Sequence, residues 1–129
     1  MIHFFTIALD AMPWLAWHLP TFNALSIPWR WHIVEGAVKP RHWKTWQAPL
    51  FPRLSSDGTT EYLASISSHP NVRVHQAKEW PSKTAMCNQA VSGMEEPGLI
   101  WQVDSDELWH SWQIETMSRL FDRHPERNA

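Results

Sequence analysis

Apolar residues along the chain gather into four short runs rich in β-branched or aromatic side chains: residues 2–9 (IHFFTIAL), 31–36 (WHIVEG), 71–76 (NVRVHQ) and 99–103 (LIWQV). Runs of that length, bounded by turn residues, suit strands of a sheet covered on both faces. Between them the spacing becomes helical. After Asp57-Gly58, Tyr62, Leu63 and Ile66 share one face, and after Ser82, a natural N-cap, Cys87, Val91 and Met94 recur at i, i+4 and i+7. Residues 12–25 are long enough for a crossover helix, with Pro13 tolerable in its first turn. Trp109, Trp112, Leu120 and Phe121 mark a last amphipathic helix ending before Pro125. The alternation β-α-β-α-β-α-β-α predicts an α/β fold, a mostly parallel open sheet flanked by helices. Residues 37–56 break the rhythm with three prolines, two tryptophans and no clear period, and read as a long loop inserted after the second strand.

At 129 residues the chain is one domain's worth, long enough for a core without staples. A net charge of −2 offers no basic field for nucleic acid and no polybasic patch for anionic membranes. Cys87 is the only cysteine, which excludes an internal disulfide and a multi-cysteine zinc site and points to a reducing compartment. The apolar N-terminus lacks a basic leading region and is interrupted by Asp10. No segment approaches the ~20 apolar residues of a membrane span, so a cytoplasmic location is expected. Ten tryptophans stand against one tyrosine; packing in core and interface is the reading for most of them, over a sugar-stacking surface.

The candidate chemistry lies where the most apolar run ends. LIWQV passes directly into Asp104, Asp106 and Glu107. In an open parallel sheet, ligands bind beyond the carboxyl ends of the strands, where strand order reverses. If the first strand lies between the second and fourth, that crevice is flanked by Ala8-Leu9-Asp10 and Asp104-Ser105-Asp106, with Glu35 nearby. Alternate residues of an extended Asp-x-Asp face the same way. Two carboxylates, with other positions left to water and substrate phosphates, are how Mg²⁺ or Mn²⁺ is usually held. A cation would offset the repulsion among the acids. The competing reading is a solvated turn in which Asp106 or Glu107 caps the following helix.

Other site chemistries fit less well. A calcium loop starting at Asp104 would put Leu108 and Trp109 where an oxygen ligand and a glycine are needed. None of the eight histidines forms a His-x-x-x-His pair, and four glycines build neither a dinucleotide fingerprint nor a Walker loop. The Cys87 position on a helix stripe favours packing over reactivity, and no serine sits in a nucleophile elbow.

The order of these segments, a strand ending in an acid (HIVEGAV), then SSDGTTEYL, NVRVHQ, WPSKTAMCNQAVSGM and LIWQVDSDELW, resembles the nucleotide-binding half of GT-A-fold glycosyltransferases of the family 2 kind. The resemblance covers roughly residues 2–109. It implies that Glu35 contacts the nucleoside, that Asp57 opens the following helix, and that Lys83 and Asn88 lie near the nucleotide. It also implies that Asp104 reaches the ribose or a metal-bound water, that Asp106 ligates the metal directly, and that Ala8 and Asp10 lie where the first-strand loop meets the nucleotide. Outside the resemblance, Lys83 reads as a solvated first-turn charge and Asn88 as an exposed helix polar. The chain departs from the family in the insertion between Glu35 and Asp57. The family's acceptor-binding half and catalytic base come later than residue 109, and Glu115 and Asp122 lack a supporting motif, so a truncated domain is expected.

The function implied is transfer of a sugar from a metal-bound UDP- or GDP-linked donor to a carbohydrate or other hydroxyl acceptor. The alternative is a non-catalytic binding or assembly domain, with a second copy or a partner chain covering its exposed surface. A metal phosphohydrolase fits less well, because such enzymes usually carry Asp-x-Asp on the first strand.

Overall fold

The structure, a computed structural model, describes residues 1–39 and 52–124. Strands β1 (Ile2–Ala8), β2 (Trp29–Val38), β3 (Val72–Trp80) and β4 (Leu99–Gln102) form a four-stranded sheet in the order β3-β2-β1-β4, and every neighbouring pair is parallel. The helices are α1 (His18–Asn23), α2 (Thr59–Ile66), α3 (Lys83–Ser92) and α4 (Ser111–Arg123), with a 3₁₀ turn at Trp14–Trp17 before α1. The α/β architecture read from the alternation is therefore present, with β1 between β2 and β4.

Period-two alternation in β1 and β2 sends residues to two apolar layers. Phe4, Trp31 and Ile33 meet Phe22 of α1, Leu63 and Ile66 of α2 and Ile114 of α4 on one face. Phe5 and Val34 meet Met86 and Ala90 of α3 on the other. Phe4 and Phe22 stack with ring centroids 4.1 Å apart, a pairing worth about 0.5–1.5 kcal/mol beyond the area it buries. Among the described residues no helix is long and apolar enough to cross a membrane.

Several elements differ from the sequence reading. The span 12–25 is a 3₁₀ turn followed by a six-residue helix, because Pro20 lacks the N–H that a continuous α-helical ladder would carry back to Ala16. β3 runs to Trp80, beyond the apolar run, since an edge strand pairs through its backbone while Lys78 and Glu79 face solvent. The buried stripe of α3 is Met86 and Ala90, one position from the expected Cys87 and Val91. In α4, Ile114 is buried but Trp112 is 64% exposed and Leu120 is also exposed; the four-residue β4 leaves this helix little sheet to cover. Trp29 and Trp31 are core residues and Trp80, Trp101 and Trp109 are half-buried, whereas Trp14, Trp17 and Trp112 face solvent. Of the inserted loop, residues 40–51 lie outside the described residues.

Where the insertion leaves and rejoins the sheet, the β2–β3 ladder slips: Glu35 pairs with Gln76 but Ala37 with Glu79. Gly36, at φ 140°, occupies the irregularity. The backbone of Arg53 fills the gap, accepting from the Ala37 N–H (3.3 Å) and donating to the Lys78 carbonyl (2.8 Å). This β-bulge satisfies backbone groups the ladder would otherwise orphan and delivers residues 53–57 to the carboxyl end of the sheet.

Candidate functional site

A cleft of about 520 Å³ opens at the carboxyl ends of β1 and β4, where strand order reverses. Its floor is Ile7, Ala8 and Leu9 from the end of β1, and one wall is Gly36, Ala37 and Val38 from β2. Lys83, Met86 and Cys87 come from α3, and Gln102, Asp104, Ser105 and Asp106 from the segment after β4. Four of the sequence-derived candidates, Ala8, Lys83, Asp104 and Asp106, thus line one cavity.

The acidic segment is a tight turn rather than the extended strand assumed from sequence. β4 ends at Gln102, and the Glu107 N–H donates to the Asp104 carbonyl at 3.0 Å. The Glu107 carboxylate accepts the Asp104 N–H at 3.3 Å, so the third acid of the cluster closes the turn. Neither Asp106 nor Glu107 caps α4: that helix begins at Ser111, and the His110 N–H donates to Oε1 of Gln113 (2.9 Å). Asp104 and Asp106 are both exposed on the cleft rim. Among the described residues no set of three or more His, Cys, Asp or Glu side chains is arranged to hold a metal ion. Two carboxylates on one rim, with a lysine on the same cleft, still match the way Mg²⁺ or Mn²⁺ binds when phosphates complete the coordination.

Lys83 is the first residue of α3, whose N-terminus is capped by Ser82 accepting the Ala85 N–H at 3.0 Å. The ammonium and the helix dipole both place positive potential at the cleft. Asn88, a turn further along α3, is exposed and does not line the cleft.

The remaining candidates, Asp10, Glu35 and Asp57, do not line the cleft and instead bond the loops that adjoin it. Asp10, in the left-handed region at φ 51°, forms an ion pair with Arg53 and accepts the Ser56 N–H at 2.8 Å. Its own N–H donates to Ser55 Oγ. The Arg53 guanidinium, then the Ser56 N–H, hold its carboxyl down at about 2. Asp57 accepts the Met12 N–H (2.9 Å) and the Thr59 hydroxyl (2.7 Å); burial pushes its pKa up, but these bonds outweigh that and lower it. Glu35 has 0% exposure and accepts from the Ser55 N–H (3.1 Å), the Thr60 hydroxyl (2.6 Å) and Gln76 Nε2 (2.6 Å). Burial again opposes ionisation, and the bonds from Ser55, Thr60 and Gln76 win, so it stays a carboxylate. Together these acids tie the β1 loop to the segment that returns from the insertion.

Sequence reasoning missed Arg53, Gln76, Gly36 and the cleft-facing side of Cys87. Arg53, two positions before the Ser55-Ser56 pair, was the one visible signal; the others depend on which strands pair.

No protein-family model matches the chain, and no curated protein matches it. Solved structures do. Residues 1–349 of S. aureus TarS, a GT-A-type glycosyltransferase, match at TM-score 0.65 and 16% identity over 95% of this chain and 32% of that one. The same protein in complex with UDP matches at TM-score 0.66 and 16% identity, over 95% of this chain and 32% of that chain. Its complex with UDP-GlcNAc matches at the same score and identity, over 95% and 31% respectively. This chain thus spans about a third of the length of these structures. Over nearly its whole length the chain has the GT-A-type fold, at an identity that shows the fold alone.

Proposed function

We propose that this domain binds a nucleoside diphosphate sugar, with the diphosphate between the Asp104–Asp106 turn and Lys83, as the donor-binding portion of a glycosyltransferase. The observation carrying this is the convergence of two carboxylates, a lysine and a helix N-terminus on one cleft at the point where strand order reverses. The UDP and UDP-GlcNAc complexes of the structural neighbour support a UDP-linked donor; GDP is the other base the resemblance implies.

Asp104 and Asp106 are the residues that would hold Mn²⁺ or Mg²⁺, which when bound supplies charge neutralisation and Lewis-acid assistance to the departing diphosphate. Lys83 screens the same phosphates from α3. The Asp10, Glu35 and Asp57 braces fix the loops against which the nucleoside would pack. In the proposed transfer an acceptor hydroxyl attacks the anomeric carbon as the nucleoside diphosphate leaves, and its proton passes to a general base.

Titration calorimetry of UDP with and without Mn²⁺ tests this reading. The expected result is binding that strengthens with Mn²⁺ and falls by about tenfold or more in Asp106→Ala, as one carboxylate of the cation pair is lost from an exposed rim. Heat indifferent to Mn²⁺, or unchanged in Asp106→Ala, contradicts it. Binding without sugar release or transfer favours the binding-only alternative.

A further inference from the structure

We propose that His18, acting with Thr6 and Trp31, is a positioning residue that holds the Asp104–Asp106 turn in its ligand-binding shape. This inference rests on the nucleotide-binding reading of that turn. Asp104 follows the shortest strand of the sheet, at its edge, and no regular element holds the chain again until Ser111. Two carboxylates in one turn repel each other, and without restraint the segment would splay them apart. The restraint comes from the core side. The last sheet bond runs from the Val103 N–H to the Phe5 carbonyl (3.0 Å). Beyond it, the Thr6 hydroxyl donates to the Val103 carbonyl (2.9 Å) and accepts from the Trp31 indole N–H (3.0 Å). His18 Nε2 is 2.9 Å from the Ser105 carbonyl. A carbonyl only accepts, so His18 carries its proton on Nε2. The two carbonyls that flank Asp104 are therefore each pinned by a buried donor, and the carboxylates are left to point at the cleft.

The pins are themselves immobilised. His18 is 3% exposed, stacked on Phe22 (5.8 Å) and tilted against Trp31 (5.6 Å), while Thr6 and Trp31 are fully buried. Burial lowers the His18 pKa despite the Ser105 bond and nearby Glu107. That shift favours the neutral ring, whose one N–H is the one at the Ser105 carbonyl. The Glu107 contacts close the turn from the solvent side. Nothing about His18 in the sequence separates it from an ordinary core histidine; only its 87-residue reach to Ser105 does.

The test compares His18→Leu, which keeps apolar volume without a donor, with His18→Gln, whose amide N–H reaches the Nε2 position. Mn²⁺-dependent UDP affinity and the melting temperature are measured for both. His18→Leu should lose about tenfold or more in affinity, the scale seen when a group orienting a metal ligand is removed, and His18→Gln should recover most of it without recovering the melting temperature in proportion. Equal affinity losses in both variants, tracking their melting temperatures, overturn the proposal in favour of plain packing. If His18→Leu does not fold, Thr6→Val against Thr6→Ser decides by the same contrast. Wild-type protein that does not bind UDP overturns the nucleotide reading and this inference with it. Wild-type binding that survives intact in His18→Leu overturns this inference alone.

Discussion

Gly36→Ala is expected to unfold the domain or lower its melting temperature by more than about 10 °C, a loss on the order of 3–5 kcal/mol. A Cβ at position 36 would stand 1.8 Å from the Ala77 carbonyl oxygen and 2.9 Å from Trp80 Nε1. The first contact is with the backbone of the neighbouring strand, so no side-chain rotation relieves it. The residue also holds φ 140°, which an L side chain rarely adopts. Relief requires β2 and β3 to part at the bulge, where the Trp80 indole donates to the Glu35 carbonyl at 2.9 Å and Arg53 bridges the two strands. Because Gly36, Ala37 and Val38 form a cleft wall, any folded fraction should also bind nucleotide poorly. Thermal denaturation followed by circular dichroism measures the effect, and a melting temperature at the wild-type value contradicts the role given to the bulge.

Glu35→Ala is expected to cost about 3 kcal/mol, read by chemical denaturation. The wild-type carboxylate is fully buried and serves three donors from three segments. Removing it leaves the Ser55 N–H without its acceptor and the Thr60 hydroxyl with only the 3.4 Å contact to the Ser55 carbonyl, and cuts one of the ties between the returning loop and β2. Gln76, on the exposed edge strand, is able to turn to water, which holds the loss below the sum of three charged hydrogen bonds. Glu35→Gln should cost markedly less: the new amide oxygen still accepts from Ser55 and Thr60, and Gln76 avoids a donor–donor clash by turning its own amide over. Equal stability of the Ala variant and wild type would show that the network does not brace the fold.

The four strands were legible because β1 and β2 are buried on both faces, so their apolar runs are unbroken, and βαβ alternation implies that they run parallel; their order, with β1 between β2 and β4, depends on tertiary packing that alternation does not encode. The place of the acidic cluster at the cleft was legible because three carboxylates crowded directly after an apolar strand repel one another, a pattern that local packing does not favour; its turn geometry, closed by Glu107, was not. Local spacing misled elsewhere in a regular way. On α3 the stripe Cys87–Val91–Met94 and the buried pair Met86–Ala90 differ by one residue, a rotation of about 100°, and that rotation turns Cys87 toward the cleft. In α4 the aromatic residues suggested a buried face that the short β4 does not provide. The partners of the site acids were out of reach because they are tertiary: Arg53 meets Asp10 across 43 positions and Gln76 meets Glu35 across 41. Glu35 and Asp57, far apart in sequence because of the insertion, both hold the loop that returns from it, at Ser55 and Thr60 and at Thr59 respectively.

The functional reading stands on a divalent cation that joins the Asp104–Asp106 pair to a diphosphate at the rim of the sheet. Paramagnetic broadening of backbone amide signals on adding Mn²⁺ with UDP reports the position of that cation. The strongest losses are expected at residues 104–106, with weaker ones at 8–10 and at Lys83, and none in the same region in Asp106→Ala. Broadening centred away from residues 104–106, or the same pattern persisting in Asp106→Ala, would be incompatible with a cation held by the aspartate pair.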